Sequence, residues 1–275
     1  MPELPEVETI KNDLQKKVAG LILQDVLITK KAKQIRKPSF RRFKEELISR
    51  KIKKAERLGK FIVLHLSSRK FLVIHLRMTG RLLVRKRNTK PDDYLKVAFV
   101  LTKNKELRFT DARGFGTIEL LNKKELTKLQ EKVGPDPLDK SFTAGDLEKR
   151  LQRRKRAIKL TLLDQSIVSG VGNIYANEAL FAAKVNPRRK ASSLSGKNVK
   201  LLHESLKKIL KKAIKFRGTT AKDEYFVDTE GKKGRFKSYL KVYQRQGEKC
   251  PNCKGKIKRI NLGGRGTFFC PSCQK

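Results

Sequence analysis

Val7, Ile10, Leu14 and Val18 share one face of a helical repeat, and Gly20 supplies the stop, so the chain opens with an amphipathic helix. Downstream the apolar runs become short and β-rich, at 21–28, 61–66, 71–78, 81–84, 97–102, 106–110 and 117–121. Turn chemistry separates them, for example Ser67-Ser68, Thr79-Gly80 and Lys103-Asn104. This pattern predicts an antiparallel meander closing into a β-sandwich. Gly134-Pro135-Asp136-Pro137 interrupts it and marks a domain boundary. Beyond it Thr143 and Asp146 make an N-cap pair, and apolar residues recur with helical spacing through Leu147, Leu151, Ile158, Leu162 and Ile167, then Leu201, Leu202, Ile209 and Ile214. The expected fold class is α+β: an antiparallel sandwich with flanking helices, then a helical domain.

The last thirty or so residues add a metal module. Cys250-x2-Cys253 and Cys270-x2-Cys273 are separated by sixteen residues. Each pair puts two thiolates on one tight knuckle, and two knuckles complete a closed tetrahedral zinc site with no position left for catalysis. One structural Zn2+ is expected; redox-active thiols are the competing reading, which the paired knuckles disfavour. His65, His75 and His203 are too scattered for a second metal. Between the knuckles, Gly263-Gly264-Arg265-Gly266 reads as a hairpin tip that holds an arginine outwards.

Charge narrows the function. Lys and Arg number 68 against 27 Asp and Glu, a net charge of +41, which suits a protein that neutralises phosphates. Thermophile surfaces balance lysine with glutamate, and acid is scarce here. With 275 residues, 38% of them hydrophobic, the chain is long enough for two domains and is not a disordered basic tail. No apolar run has the length of a membrane span and the N-terminus lacks a signal-peptide core, so a soluble cytoplasmic protein without structural disulfides is expected.

The opening Met1-Pro2-Glu3-Leu4-Pro5-Glu6 carries candidate chemistry. Removal of Met1 would expose a secondary α-amine with a pKa near ~8, partly neutral at physiological pH. Such an amine attacks an electrophilic sugar carbon without a strong base, and its iminium has no N–H to lose and so remains an electron sink. Glu3 and Glu6 stand beside it as proton donors or acceptors. The plainer alternative is that the prolines stiffen an N-terminus while the glutamates favour the first helical turn. Gly170 and Gly172, before Asn173, would likewise either expose amides to a phosphate at a helix start or make a tight turn between helices.

Taken in order, these pieces resemble the formamidopyrimidine-DNA glycosylases (Fpg) of bacterial base-excision repair. The resemblance covers essentially the whole chain. It is carried by the PELPEVET start, Leu58-Gly59-Lys60-Phe61, His75-Leu76-Arg77-Met78, Asp111-Ala112-Arg113-Gly114-Phe115-Gly116, the Gly170-to-Glu178 run, Gly218-Thr219-Thr220, and the terminal finger with Arg265. The PELPE opening is more similar to Fpg than to endonuclease VIII, which typically begins PEGPE.

The resemblance implies a catalytic sandwich over 1–134, a helix–two-turn–helix DNA-binding domain over 135–220, a lesion-covering loop and linker over 221–245, and a zinc finger over 246–275. The mobile loop itself is expected at Lys222 to Arg235. Pro2 would be the Schiff-base nucleophile attacking C1′, Glu3 the proton donor for base loss and ring opening, and Glu6 its support. Lys60 would act near the adjoining phosphate and in β-elimination, and Arg265 would hold phosphate and serve δ-elimination. DNA contacts would come from His75, Tyr94, Lys155, Lys159 and Asn173, while Met78, Arg113 and Phe115 fill the gap left by the extruded base. Met78 and Phe115 are otherwise read as strand-end core residues. Three positions depart from the family pattern: Gly114 replaces a common second arginine, Thr79 a glutamate, and Tyr94 a phosphate-binding histidine. The implied activity is a monomeric, bifunctional glycosylase/AP lyase acting on oxidised purines, notably 8-oxoguanine and formamidopyrimidines, in damaged double-stranded DNA of the bacterial nucleoid. An endonuclease VIII-like enzyme for oxidised pyrimidines and a non-catalytic zinc-ribbon DNA-binding protein are the alternatives.

Overall fold

The computed structural model describes residues 1–30, 32–221 and 225–275. The chain packs as two compact units, Met1–Glu131 with Phe216–Lys237, and Lys132–Lys215 with Ser238–Lys275.

The first unit begins with helix α1 (Leu4–Lys17). It buries Val7, Ile10 and Leu14, the face expected from their spacing, and Gly20 beyond its end has a φ of +87°. There follow β1 (Leu23–Ile28), β2 (Ile35–Lys37), α2 (Phe40–Leu47), β3 (Ile52–Leu58), β4 (Phe61–Leu66), β5 (Phe71–His75), β6 (Gly80–Lys86), β7 (Leu95–Leu101), β8 (Lys105–Asp111), β9 (Thr117–Leu121) and α3 (Lys123–Lys132). They make a four-stranded sheet in the order β1-β7-β8-β6 and a five-stranded sheet in the order β2-β9-β5-β4-β3. One apolar cluster joins Val26, Phe99 and Phe109 of the first sheet, Ile62, Leu64 and Ile74 of the second, and the buried face of α1. Each such side chain contributes about 1.5–3 kcal/mol on burial. The alternate residues Val63 and Val73 face the other way and are covered by Leu126 of α3.

The sheets differ from a simple meander. β5 pairs with β9 and β6 with β8, and β2 runs parallel to β9. Strand β3 was not apparent from hydrophobicity, because only Ile52 and Ala55 of its seven residues are buried. Strand β5 stops at His75 rather than 78: Arg77 has a φ of +53°, and Gly80 N–H donates to the Leu76 carbonyl at 3.0 Å. That turn leaves Met78 43% exposed, so it is not a core residue, and neither is Phe115 at 52%.

The second unit contains α4 (Ala144–Gln152), α5 (Ile158–Leu162), α6 (Asn173–Ala182), α7 (Gly196–Lys215), β10 (Lys258–Leu262) and β11 (Arg265–Phe269). The Thr143/Asp146 pair forms a capping box, with Asp146 N–H to Thr143 Oγ1 at 3.1 Å and Thr143 N–H to Asp146 Oδ2 at 2.9 Å. In α7 the buried stripe is Val199, Leu202, Leu206, Leu210 and Ala213, whereas Leu201 is exposed. The Glu178 carboxylate of α6 accepts the backbone N–H groups of Lys241, Val242 and Tyr243 at 2.8–2.9 Å, fixing the segment that leads to the finger. Burial pushes its carboxyl up despite these donors. Among the described residues, no helix is long and apolar enough to cross a membrane.

Of the run expected to be a loop, Lys222 to Glu224 lie outside the described residues. From Tyr225 on, the segment is bound into the first unit. Phe226 enters its core, and Arg217 joins Asp13 and Asp228 at 2.6 and 2.7 Å.

Candidate active site

Glu3 is the N-cap of α1, in extended conformation, so Pro2 stands immediately before the helix with Glu3 and Glu6 one turn apart. Glu6 Oε2 accepts the Glu3 N–H at 2.8 Å, and Oε1 accepts the Thr219 N–H at 2.7 Å. Glu3 and Glu6 are 2% and 0% exposed. A buried carboxylate that uses both oxygens on backbone amides makes charge-assisted bonds and has little freedom to turn. Gly218 is required beside it. Its φ is +80°, and a Cβ there would lie 2.8 Å from Glu6 Oε1.

Lys60 follows Gly59 in the turn between β3 and β4 and is buried. The turn is fastened to α1 through Arg57, whose Nε reaches Glu8 at 2.7 Å while Nη1 reaches the Gly59 carbonyl at 3.3 Å. Burial opposes ionisation of Glu8, but Lys11 and Arg57 hold its pKa below the ordinary value. The β4–β5 register pairs Phe61 with His75, and the two rings meet edge-on at 4.7 Å. Burial, reinforced by the positive charges of Arg77 and Lys60, depresses the His75 pKa to about 3. Nδ1 accepts the Arg77 N–H at 3.0 Å, so the neutral ring carries its proton on Nε2. The site thus offers a buried lysine beside an uncharged hydrogen-bond donor.

Met78, Arg113 and Phe115 are brought together. The Arg113 guanidinium lies 5.2 Å over the Phe115 ring, and its Nη1 is 3.4 Å from Met78 Sδ. Two exposed apolar groups flanking a cation suit a wedge between bases. Tyr94 is 65% exposed and adopts a φ of +58°.

Lys155, Lys159, Asn173 and Arg265 belong to the second unit. Lys155 is exposed in the loop after α4. Lys159 requires a correction: it is fully buried, and its Nζ donates to the Gly266 carbonyl at 2.9 Å and Thr267 Oγ1 at 2.7 Å. It therefore holds the β10–β11 hairpin instead of reaching a DNA backbone. Asn173 opens α6 and donates from Nδ2 to the same Gly266 carbonyl at 3.2 Å; its Oδ1 is buried without a partner among the described residues. Arg265 is exposed at the hairpin end, paired with Leu262 across Gly263 and Gly264, whose φ values of +57° and +72° make the tight two-residue turn.

The four cysteine sulfurs lie within 4.8 Å of one another. The Cys250–Cys273 and Cys253–Cys270 separations are 3.8 and 3.6 Å, too long for a disulfide but close to the ~3.8 Å edge of a tetrahedron with Zn–S bonds of ~2.3 Å. The N–H groups of Asn252 and Gly255 point at Cys250 and Cys253, each at 3.4 Å. The donor set fits one structural zinc.

Two anchoring groups, Glu178 and Asp111, lie within the family motifs but have no role assigned from the sequence. Glu178 holds the backbone of Lys241 to Tyr243. Asp111, at the end of β8, is fully buried and accepts from Thr79 Oγ1 and the Gly116 N–H.

Family models match three stretches: the formamidopyrimidine-DNA glycosylase N-terminal domain over residues 1–118, the H2TH domain of the same enzymes over 133–224, and the zinc finger found in FPG and IleRS over 247–275. The formamidopyrimidine-DNA glycosylase of Desulforamulus reducens is 43% identical, covering 100% of this chain and 99% of its own. A Lactococcus lactis Fpg variant solved with Fapy-dG-containing DNA is 32% identical with a TM-score of 0.92, covering 100% of both chains. The wild-type Lactococcus lactis Fpg solved with DNA containing an oxidised pyrimidine is 33% identical with a TM-score of 0.91, again over 100% of both chains.

Proposed function

The chain belongs to the formamidopyrimidine-DNA glycosylase family and is a DNA glycosylase of base-excision repair, and from that premise we propose that Pro2 is its nucleophile, with oxidised purines as its main substrates. Once Met1 is removed, the Pro2 nitrogen bonds to C1′ of the damaged nucleotide as the bond from C1′ to the base breaks. Glu3 supplies a proton as the sugar ring opens at O4′, leaving an iminium. Loss of a C2′ proton then expels the 3′ phosphate, and loss of a C4′ proton expels the 5′ phosphate. The Glu6 bridge supports this reading, because it fixes the Glu3 backbone one residue from the nucleophile.

Lys60 and His75 serve the phosphates beside the lesion and Lys60 assists β-elimination, while Arg265, Asn173 and Lys155 serve the DNA backbone and Arg265 assists δ-elimination. Tyr94 adds a further contact, and Met78, Arg113 and Phe115 replace the flipped base. The protein works as a monomer on damaged duplex DNA of the nucleoid, with catalytic, helical, loop and zinc-finger domains over 1–134, 135–220, 221–245 and 246–275. The oxidised-pyrimidine complex of the Lactococcus lactis relative favours a second, minor activity on pyrimidine lesions.

Borohydride reduction on 8-oxoguanine duplex should trap the protein with the crosslink in the peptide that begins at Pro2. A crosslink on Lys60, or full activity with Met1 in place, would overturn Pro2 as nucleophile. Comparison of 8-oxoG:C with thymine glycol duplexes ranks the two lesion classes, and a preference for thymine glycol would overturn the purine assignment.

A further inference from the structure

Three of the segments assigned to DNA meet at one buried carboxylate. Asp111 Oδ1 accepts the Thr79 hydroxyl at 2.5 Å, its Oδ2 accepts the Gly116 N–H at 2.8 Å, and its own N–H donates to the Tyr94 carbonyl at 3.0 Å. Thr79 Oγ1, its proton committed to Asp111, accepts the Arg113 N–H at 3.1 Å. We infer that Thr79 and Asp111 are positioning residues, a clamp that holds Met78 and the Arg113–Phe115 pair in one register for insertion into the duplex. The inference rests on the wedge reading proposed above.

The wedge side chains cannot set this register themselves. Met78 and Phe115 are exposed, a thioether is a weak acceptor, and stacking of an exposed guanidinium on a ring is easily exchanged for water. The bonds beneath them are of another kind. Asp111 is fully buried and Thr79 is 6% exposed, so a charge-assisted bond between them works in a low dielectric, where leaving either group unpaired is costly. Backbone shape reinforces the arrangement. A Cβ on Gly116 would lie 2.5 Å from Phe109 Cζ and 3.1 Å from Asp111 Oδ2, and one on Gly80 would lie 2.4 Å from the Leu76 carbonyl oxygen. Gly116 thus lets its loop close onto the carboxylate, and Gly80 lets the Met78 turn close on itself, at positions that admit no side chain. The hydroxyl ties the Met78 turn both to the carboxylate and to the Arg113 backbone, because it donates to Asp111 while accepting from the Arg113 amide. Thr79, turned inward, serves the wedge and does not read the base.

Thr79→Val keeps the shape and removes both hydrogen bonds, whereas Thr79→Ser keeps both. Excision of 8-oxoguanine from duplex should fall on the order of tenfold to a hundredfold in Thr79→Val, the loss expected when a positioned group is displaced, and Thr79→Ser should restore it. The stopped-flow signal of 2-aminopurine placed beside the lesion should slow in parallel, and amide exchange at Arg113 and Gly116 should quicken. Cleavage of an abasic site in a single strand, which needs no wedge, should be unchanged. Phe115→Ala separates the two ideas. If it leaves the 2-aminopurine signal intact, the wedge reading fails. If it abolishes the signal while Thr79→Val behaves as wild type, the clamp alone is overturned. Equal loss in the valine and serine variants would also overturn it.

Discussion

Glu6 and Thr219, 213 residues apart, are joined by a 2.7 Å hydrogen bond from the Thr219 amide to Glu6 Oε1. The second oxygen of the same carboxylate holds the Glu3 amide. The conformation of the chain's first residues is thus set by a segment near residue 218, and the Gly218 φ of +80° is part of that contact.

Gly218→Ala tests the bridge. The new methyl would meet Glu6 Oε1 at 2.8 Å in a backbone conformation that alanine rarely adopts. The variant should lose about 1–3 kcal/mol of stability and trap poorly with borohydride, even at temperatures where it remains folded. Thermal denaturation with trapping at low temperature checks this, and wild-type trapping would show that the bridge does not position the N-terminus.

His75 gives a pH prediction with a definite sign. Its pKa is about 3 in the folded protein against 6.5 for the free side chain. Between these values the unfolded chain binds a proton that the folded one refuses, so this contribution is complete above pH 6.5 and is lost as the pH falls towards 3. Relative to His75→Gln, the wild type should lose roughly 1–2 kcal/mol between pH 7 and pH 5. Nitrogen NMR should find the ring neutral at pH 5 with its proton on Nε2. A ring that titrates near 6.5 would contradict the geometry.

For the metal, one zinc should accompany each chain. Cys253→Ser should loosen the β10–β11 hairpin and weaken DNA binding strongly, since the metal ties the two knuckles into one unit. Metal analysis and binding titrations decide it, and a folded, active, zinc-free protein would refute a structural role.

Elements whose chemistry repeats were legible in the sequence. The Val7-Ile10-Leu14 face, the cysteine knuckles and the Thr143/Asp146 box each follow from local spacing. Strand β3 was hidden because Lys53, Lys54, Glu56 and Arg57 remain wet or polar-paired, so alternation never shows. In α7, Leu201 and Leu202 carry equal hydrophobicity, and only the packed helix shows that Leu202 is the one inside. The family motifs include Asp111 beside Arg113 and Phe115 but imply a role only for Met78, Arg113 and Phe115, since a carboxylate that accepts from a hydroxyl 32 residues away leaves no mark on local pattern.

Lys155 and Lys159 illustrate the same limit and give the last prediction. The two residues are four apart and identical in chemistry, yet Lys155 is exposed while Lys159 is wholly buried against Gly266 and Thr267. If Lys155 meets a phosphate, Lys155→Ala should flatten the dependence of log affinity on log salt by roughly 0.9 and leave lesion preference alone. Lys159→Met should act differently. Removing its amine leaves the Gly266 carbonyl and the Thr267 hydroxyl short of a buried donor, at about 1–3 kcal/mol, and Thr267 in turn bonds to the Arg265 carbonyl at 3.1 Å. The hairpin that carries Arg265 should loosen, lowering affinity and strand cleavage at every salt concentration with the slope retained. A Lys159→Met variant that changed only the slope would mean that this lysine leaves its burial to bind DNA.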